Sequence, residues 1–422
     1  MNILHIHRYG LTGGAGGAIS MRRLHFELRK AGVDSKILCV QDVDEGPYLV
    51  IRKPSLLENG WNSLTAKTSI KYGLEDIFNI NSFRIKSSKA FKEADIIHFH
   101  RVPGIFSYLA LPSLTKQKAA VFTLHDMWGL TGHCRHSLDC ERWKTGCGKC
   151  PYTALPPAIK FDCTSVQWRL KRWVYNHSNL NCIAPSKWLA KLAKQSILNC
   201  FAIHFIPHGI DTEIYKPLEK EKCRKLLGIP PNKKILMLMA QRIGKSRILK
   251  GFQLLTSALK NVPASMKSEL ILLLVGHQRE KIIDTLDIET INLGYVGDDD
   301  MKATAYSAAD LLVSPSRAEA FGLVLLESMS CGTPLVAFGV GGTTDLVRHG
   351  ITGYSAEPEN AEDLCNGIIE LLKHNSLRAL MSEQCRLIAL KEYSSGDIAQ
   401  RYKELYQQLI EIKHVGKSSV AI

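Results

Sequence analysis

Long apolar runs are missing from this 422-residue chain. No stretch of about 18 uncharged apolar residues occurs, which excludes a membrane-spanning helix. The opening MNILHIHRYG lacks the basic-then-apolar layout of a secretory leader and reads directly as a strand, so a cytoplasmic protein is expected. Two phosphate-binding signatures are also incomplete. The segment GLTGGAGGAIS is not a G-x-G-x-x-G fingerprint with an acidic residue at the right distance, so a dinucleotide is not indicated. The GKS at 244–246 lacks its upstream glycine and is no Walker loop. A surplus of acid is missing too. Residues 1–205 hold 28 Lys/Arg against 14 Asp/Glu, while the remainder holds 26 of each. A basic half beside a neutral one implies an anionic partner: a membrane surface, a lipid-linked phosphate or, less favoured, nucleic acid.

What is present is the profile of a folded protein, with 45% hydrophobic and 22% charged residues. The length fits two domains of about 200 residues each. Short apolar runs at 3–6, 35–40, 95–99, 120–124, 181–184 and 202–206 read as buried strands, with helical patterns such as 18–30 and 186–194 between them. The pattern restarts with strands at 234–240, 270–275, 291–295, 311–313 and 335–338, and helices at 251–260, 299–309 and 321–331. Such alternation predicts α/β domains with parallel sheets. The turn-rich PHGIDTEIYKP marks the seam. The expected division is 1–206, then 207–395, with a helix over 396–414 returning to the N-terminal domain and a flexible tail at 415–422. Residues 41–80 show no clean period and are read as an excursion. Ligands are expected in a cleft at the carboxyl ends of the strands.

The most informative segment is SPSRAEAFGLVLLESMSCGTPLVAFGVGGTTDLV, 314–347. Gly322 lies in the first turn of the helix expected over 321–331, so the N–H groups of Leu323 and Val324 are expected to face an anion such as a diphosphate. Glu327, about one and a half turns on, is suited to accept from a ribose diol. Glu319 and Glu327 are separated by seven residues, and the segment resembles the E-x7-E motif of glycosyltransferase family 4, the group 1 glycosyltransferases. The resemblance runs from about residue 3 to 400 and implies the GT-B fold: two Rossmann-like domains. It implies that Glu319 contacts donor-sugar hydroxyls and Glu327 the nucleotide ribose. Asp345 stands where the family often has Glu. The family's diphosphate-binding Arg and Lys correspond in AQRIGKSRILKG to Arg242 and Lys250, with Arg247 the alternative arginine. Two cations beside two phosphates neutralise the leaving charge without a divalent metal, so no catalytic cofactor is expected.

On the N-terminal side, Gly16 and Gly17 permit close approach of a ligand to a helix N-terminus, and the resemblance implies that this ligand is the donor phosphate or the acceptor. His125 and Asp126, at the carboxyl end of the strand 120–124, are placed to face the cleft. The resemblance implies that His125 approaches the donor sugar at the reacting centre, with Asp126 and His100 on the acceptor side. Cys134, Cys140, Cys147 and Cys150, spaced C-x5-C-x6-C-x2-C, suit a structural tetrahedral zinc, with disulfides and free thiols as the alternatives. The run Asp298, Asp299, Asp300 imitates a D-x-D metal motif but sits at a helix start and is read as a cap. The expected activity is retaining transfer from a nucleotide-sugar donor to a saccharide or lipid-linked saccharide in surface polysaccharide biosynthesis, at the inner face of an anionic membrane. Rival readings are an epimerase or phosphorylase on the same fold, and a silent binding protein with a basic surface.

Overall fold

The structure, a computed structural model, describes residues 1–39, 49–51, 60–61, 64–65, 69–74, 77–100, 106–243, 248–278 and 287–418. Contacts divide the chain into two compact units, one of 1–209 with 396–422 and one of 210–395.

In the first unit, seven parallel strands lie in the order β3-β2-β1-β4-β5-β6-β7. They are β1 (Asn2–Ile6), β2 (Asp34–Cys39), β3 (Leu49–Ile51), β4 (Ile96–Phe99), β5 (Ala119–Thr123), β6 (Asn181–Ala184) and β7 (Ala202–Phe205). The second unit has six in the order β10-β9-β8-β11-β12-β13. These are β8 (Lys234–Ile243), β9 (Leu270–Gln278), β10 (Glu289–Asn292), β11 (Leu311–Ser314), β12 (Leu335–Phe338) and β13 (Gly353–Ala356). Every registered pair is parallel. In each sheet the strand order reverses once, between β1 and β4 and between β8 and β11, and that switch point is where such sheets open to ligands.

The apolar runs follow from burial on both faces. Along β8 and β9, Ile235, Met237, Ile271 and Leu273 enter one core layer, while Leu236, Leu238, Leu272 and Leu274 enter the other. A strand covered by helices on both sides has no polar face, so its sequence does not alternate. In the first unit, Ile3, Ile96, Val121 and Ile183 pack with Ile398, Tyr402, Leu405 and Tyr406 of the helix Ser395–Ser418. That helix runs on to Ser418, past the point where a flexible tail was expected. Asp298 caps the helix Asp299–Ala308 by accepting from the Met301 N–H at 2.8 Å. No helix among the described residues is long and apolar enough to cross a membrane.

One buried ion cluster fastens the base of the second sheet. Asp310 accepts from Arg224 at 2.8 Å, Lys220 at 3.0 Å and the Ile235 N–H at 2.8 Å, and Arg224 also donates to the carbonyls of Ala308, Pro231 and Lys233. Burial pushes the Asp310 pKa up, but Lys220, the Ile235 N–H and Arg224 outweigh it and hold it below the usual value. Its contribution to stability is therefore full above about pH 4 and fades as pH falls through the lowered pKa. Asp310→Ala leaves Arg224 buried without its carboxylate. The expected loss is about 3–5 kcal/mol in urea unfolding at pH 7, shrinking as the two proteins are compared at progressively lower pH.

Candidate active site

In the second unit the site is built at the β8/β11 switch point, and glycines set its spacing. Gly251 has φ +62°, and a Cβ there would collide with the Pro315 carbonyl oxygen. This contact, with the Arg317 N–H donating to Leu249 O at 2.9 Å, lays the segment after β8 against the loop after β11. Lys250 Nζ thereby reaches Glu319 Oε2 at 2.7 Å. From the other side, Gly342 N–H donates to Glu319 O at 2.8 Å, and a Cβ on Gly341 would strike that same oxygen. Glu319 is thus fixed through its backbone while its side chain stays a quarter exposed.

Gly322, at φ +104°, turns the chain into the helix Leu323–Ser330. Leu325 and Leu326 donate back to Gly322 O. The N–H groups of Leu323 and Val324 precede any acceptor within the helix, which concentrates partial positive charge at its start. The Lys250–Glu319 pair is partly solvated, with side chains 47% and 25% exposed, and such pairs contribute about 1 kcal/mol or less. Opening the pair therefore costs little.

Glu327 is 4% exposed and accepts from the Tyr306 hydroxyl at 2.9 Å. Burial, and then the Glu327 carboxylate, raise the Tyr306 pKa well above its ordinary value, so the phenol remains a donor. Tyr306 carried no signal in the sequence, because only the fold brings the helix Asp299–Ala308 to Glu327. Arg242 lies near the end of β8, its backbone in register with His277. Arg247 lies outside the described residues. Asp345 sits in the short helix Thr343–Leu346, beyond the glycine turn.

In the first unit, His125 follows β5 and lies against the start of the helix Gly16–Lys30. A Cβ on Gly17 would come within 3.2 Å of the imidazole, so a larger residue there would make the ring give by a few tenths of an ångström. Gly16 opens the same helix. His100 Nδ1 is 3.3 Å from His125 Nε2, and the His208 ring stacks on His125 at 5.2 Å. His100 is only 2% exposed. It stands behind His125 rather than at the surface. Asp126 accepts from the Trp128 N–H at 2.9 Å and lies 3.9 Å from Arg135, so its carboxylate serves the loop that follows.

That loop holds the four cysteines. Lys171, buried in the helix Thr164–Asn176, donates to Trp128 O and Thr131 O and sits 3.4 Å over the Trp128 ring. Gly132 N–H donates to Cys147 Sγ at 3.2 Å. Burial pushes the Cys134 and Cys147 thiols up to about 12 and about 11. Among the described residues, the set of three potential metal ligands whose donor atoms fall within 4.8 Å of one another is His5, His98 and His100, not the cysteines.

Two glycine substitutions separate backbone conformation from collision. Gly228, at φ +67°, has nothing within 4 Å of a Cβ, so Gly228→Ala is expected to cost about 1–2 kcal/mol from the left-handed backbone alone. Gly251→Ala adds the clash with Pro315 and should cost roughly 1–3 kcal/mol more. Urea unfolding of both variants measures the difference.

Known proteins share this organisation. A family model described as Glycosyltransferase Family 4 matches residues 14–214, and one described as Glycosyl transferases group 1 matches 219–387. The chain is 30% identical over 220 residues to N-acetyl-alpha-D-glucosaminyl L-malate synthase of Bacillus anthracis, covering 51% of this chain and 56% of the relative. It is 30% identical over 238 residues to lipopolysaccharide 1,2-N-acetylglucosaminetransferase of Salmonella typhimurium, covering 53% and 60%. The chain thus spans little more than half the length of these curated relatives. The sucrose-phosphate synthase structure from Thermosynechococcus elongatus superposes with a TM-score of 0.70 at 19% identity, covering 97% of this chain and 99% of that one. That likeness shows the fold. With both halves matched and both sheets of the GT-B class, the chain belongs to the group 1, family 4 glycosyltransferases.

Proposed function

We propose that the chain transfers a sugar from a nucleoside-diphosphate sugar to a saccharide or lipid-linked saccharide acceptor, with retention of configuration. The observation that carries this reading is the Lys250–Glu319 pair at the switch point, with Glu319 four residues ahead of the helix Leu323–Ser330 in the chain. Lys250 exchanges Glu319 for the donor diphosphate, and the N–H groups of Leu323 and Val324 take its second share of charge. Arg242 is assigned to the same diphosphate. Glu319, relieved of Lys250, accepts from the sugar hydroxyls. Glu327, held by Tyr306, is assigned to the ribose diol. His125 is assigned to the donor sugar.

In the proposed step, the bond between the anomeric carbon and the diphosphate oxygen breaks while the acceptor hydroxyl bonds to the same face. The acceptor's proton passes to the departing phosphate oxygen. Fixed cations and helix N–H groups stabilise the charge that grows there, and their worth lies in being oriented before the reaction. No carboxylate forms a covalent intermediate on this route.

The basic surplus of residues 1–205 favours an anionic acceptor, and a lipid diphosphate at a membrane surface matches it. Flotation of the full chain with vesicles rich in phosphatidylglycerol at low salt should recover the protein, whereas neutral vesicles should not. Recovery equal on both, or on neither, sinks the membrane assignment.

For the cysteine loop the proposal is a structural zinc held by Cys134, Cys140, Cys147 and Cys150. The donor set and the N–H aimed at Cys147 Sγ fit, although the four sulfurs would have to draw closer than they lie. Metal analysis of the purified chain should give about one zinc per chain, lost in Cys147→Ser. A metal-free protein that folds equally well overturns it.

Thermal stabilisation by a panel of nucleoside diphosphates and nucleotide sugars, without added metal, tests the donor site. At a hundred times Kd, a binder adds about 2.7 kcal/mol of stability. The expected result is a clear rise in Tm with one nucleotide base, abolished in Glu327→Ala. No shift from any nucleotide would point to a silent binding protein instead.

A further inference from the structure

Behind His125 lies a row of buried histidines to which the transfer reading gives no task. His5 on β1 and His98 on β4 are register partners, and His100 follows β4. His5 and His98 are fully buried, and His100 nearly so. Their donor atoms are near enough to suggest a metal site. The hydrogen bonds argue otherwise. His98 Nε2 meets Thr123 Oγ1 at 2.7 Å, and His98 Nδ1 meets the Tyr406 hydroxyl at 2.7 Å, so both of its nitrogens are committed to hydroxyls. His5 Nδ1 and His100 Nε2 are committed to each other at 2.8 Å. A cation would have to break these bonds in a place with no exposed surface.

The same bonds form a continuous path: His5 Nδ1 to His100 Nε2 at 2.8 Å, then His100 Nδ1 to His125 Nε2 at 3.3 Å. Burial lowers the pKa of His5 and of His100 well below the ordinary value, with His98 and His25 adding to it at His5, and His98, His5, His125 and His7 at His100. At neutral pH these two rings carry one proton each. A neutral imidazole has one N–H and one lone pair, so the path admits two arrangements. In one, every bond points outward: His5 Nδ1–H donates to His100, His100 Nδ1–H donates to His125 Nε2, and the His125 proton sits on Nδ1. In the other, every bond points inward, and the last proton sits on His5 Nε2.

His5 Nε2 decides between them. It is buried and has no partner among the described residues. The inward arrangement strands an N–H there, whereas the outward one leaves only a lone pair. Stranded buried N–H groups are the rarer and costlier outcome. We infer that His5 and His100 are positioning residues that hold His125 as its Nδ1–H tautomer through these two ring-to-ring hydrogen bonds. Thr123 and Tyr406 keep His98 out of the path, and His208, with Arg23 beside it, holds the His125 ring by stacking. On the transfer reading, on which this consequence rests, His125 meets the donor as a hydrogen-bond donor from Nδ1 and not as a proton acceptor.

The test is long-range proton–nitrogen correlation on the full chain labelled with 15N-histidine, the His125 signals being identified by their loss in His125→Asn. The expected wild-type result is a protonated Nδ1 and a bare Nε2 on His125. In His5→Phe, two rings away, His100 loses its proton donor, and the His125 pattern should become mixed. In His100→Asn the amide N–H stands where Nδ1–H stood and should restore the wild-type pattern, while His100→Phe should not. Circular dichroism melts identify which variants are folded, and the Asn and Phe pair at 100 serves if His5→Phe is not. A His125 protonated on Nε2 in the wild type overturns the inference, as does a tautomer unmoved in both Phe variants. Stoichiometric metal lost in His5→Phe overturns it as well. Where a transfer assay exists, His5→Phe should lower kcat about tenfold with KM about unchanged. The nitrogen spectra need no donor, so an absent activity would count against the transfer reading alone.

Discussion

The candidate site of the second unit rests on one approach of backbone to backbone. With Gly251 packed on the Pro315 carbonyl, the segment after β8 and the loop after β11 lie closer than any side chain would permit. That spacing brings Lys250 within 2.7 Å of Glu319, four residues ahead of the helix Leu323–Ser330. Gly341 and Gly342 clamp the loop from its other side. The chemistry follows from rigidity of the main chain rather than from rare side chains. Two ordinary ingredients, a lysine and a glutamate, meet because glycines let their segments converge.

Much of the architecture was legible because strands buried on both faces advertise themselves as unbroken apolar runs. β1, β4, β5, β8, β9, β11 and β12 all coincide with such runs. The strands that escaped notice are those with little apolar content or too few residues to make a run. β13 reads GYSA and earns its place by pairing with β12 through Leu335↔Gly353. β3 is three residues long, at the edge of its sheet. β10 begins two residues before the run at 291–295, because the sheet takes Glu289 and Thr290 and releases Leu293 onward. The helix Thr164–Asn176 hides its buried face behind Lys171, a charge that only burial over Trp128 explains.

The site divides in the same way. Residues joined by short separations or by a recurring phrase, such as Glu319 with Glu327 or Lys250 with Gly251, could be read in order. Residues that meet across the fold could not. Tyr306 reaches Glu327, and His5 reaches His100, only because parallel strands and their helices bring distant segments side by side. His208 lay within a recognisable phrase, PHGID, yet nothing in that phrase pointed to a ring stacked on His125.

The helix Ser395–Ser418 makes the first unit discontinuous along the chain, with residues 210–395 lying between its two pieces. Its Tyr402 and Tyr406 are buried in the core with Ile3, Ile96 and Val121. During synthesis the second unit is therefore complete in sequence, and able to collapse on its own, before the first has received its last core side chains. The domain that emerges first from the ribosome is the one that finishes last, and until then the apolar side chains that the helix covers wait for their cover.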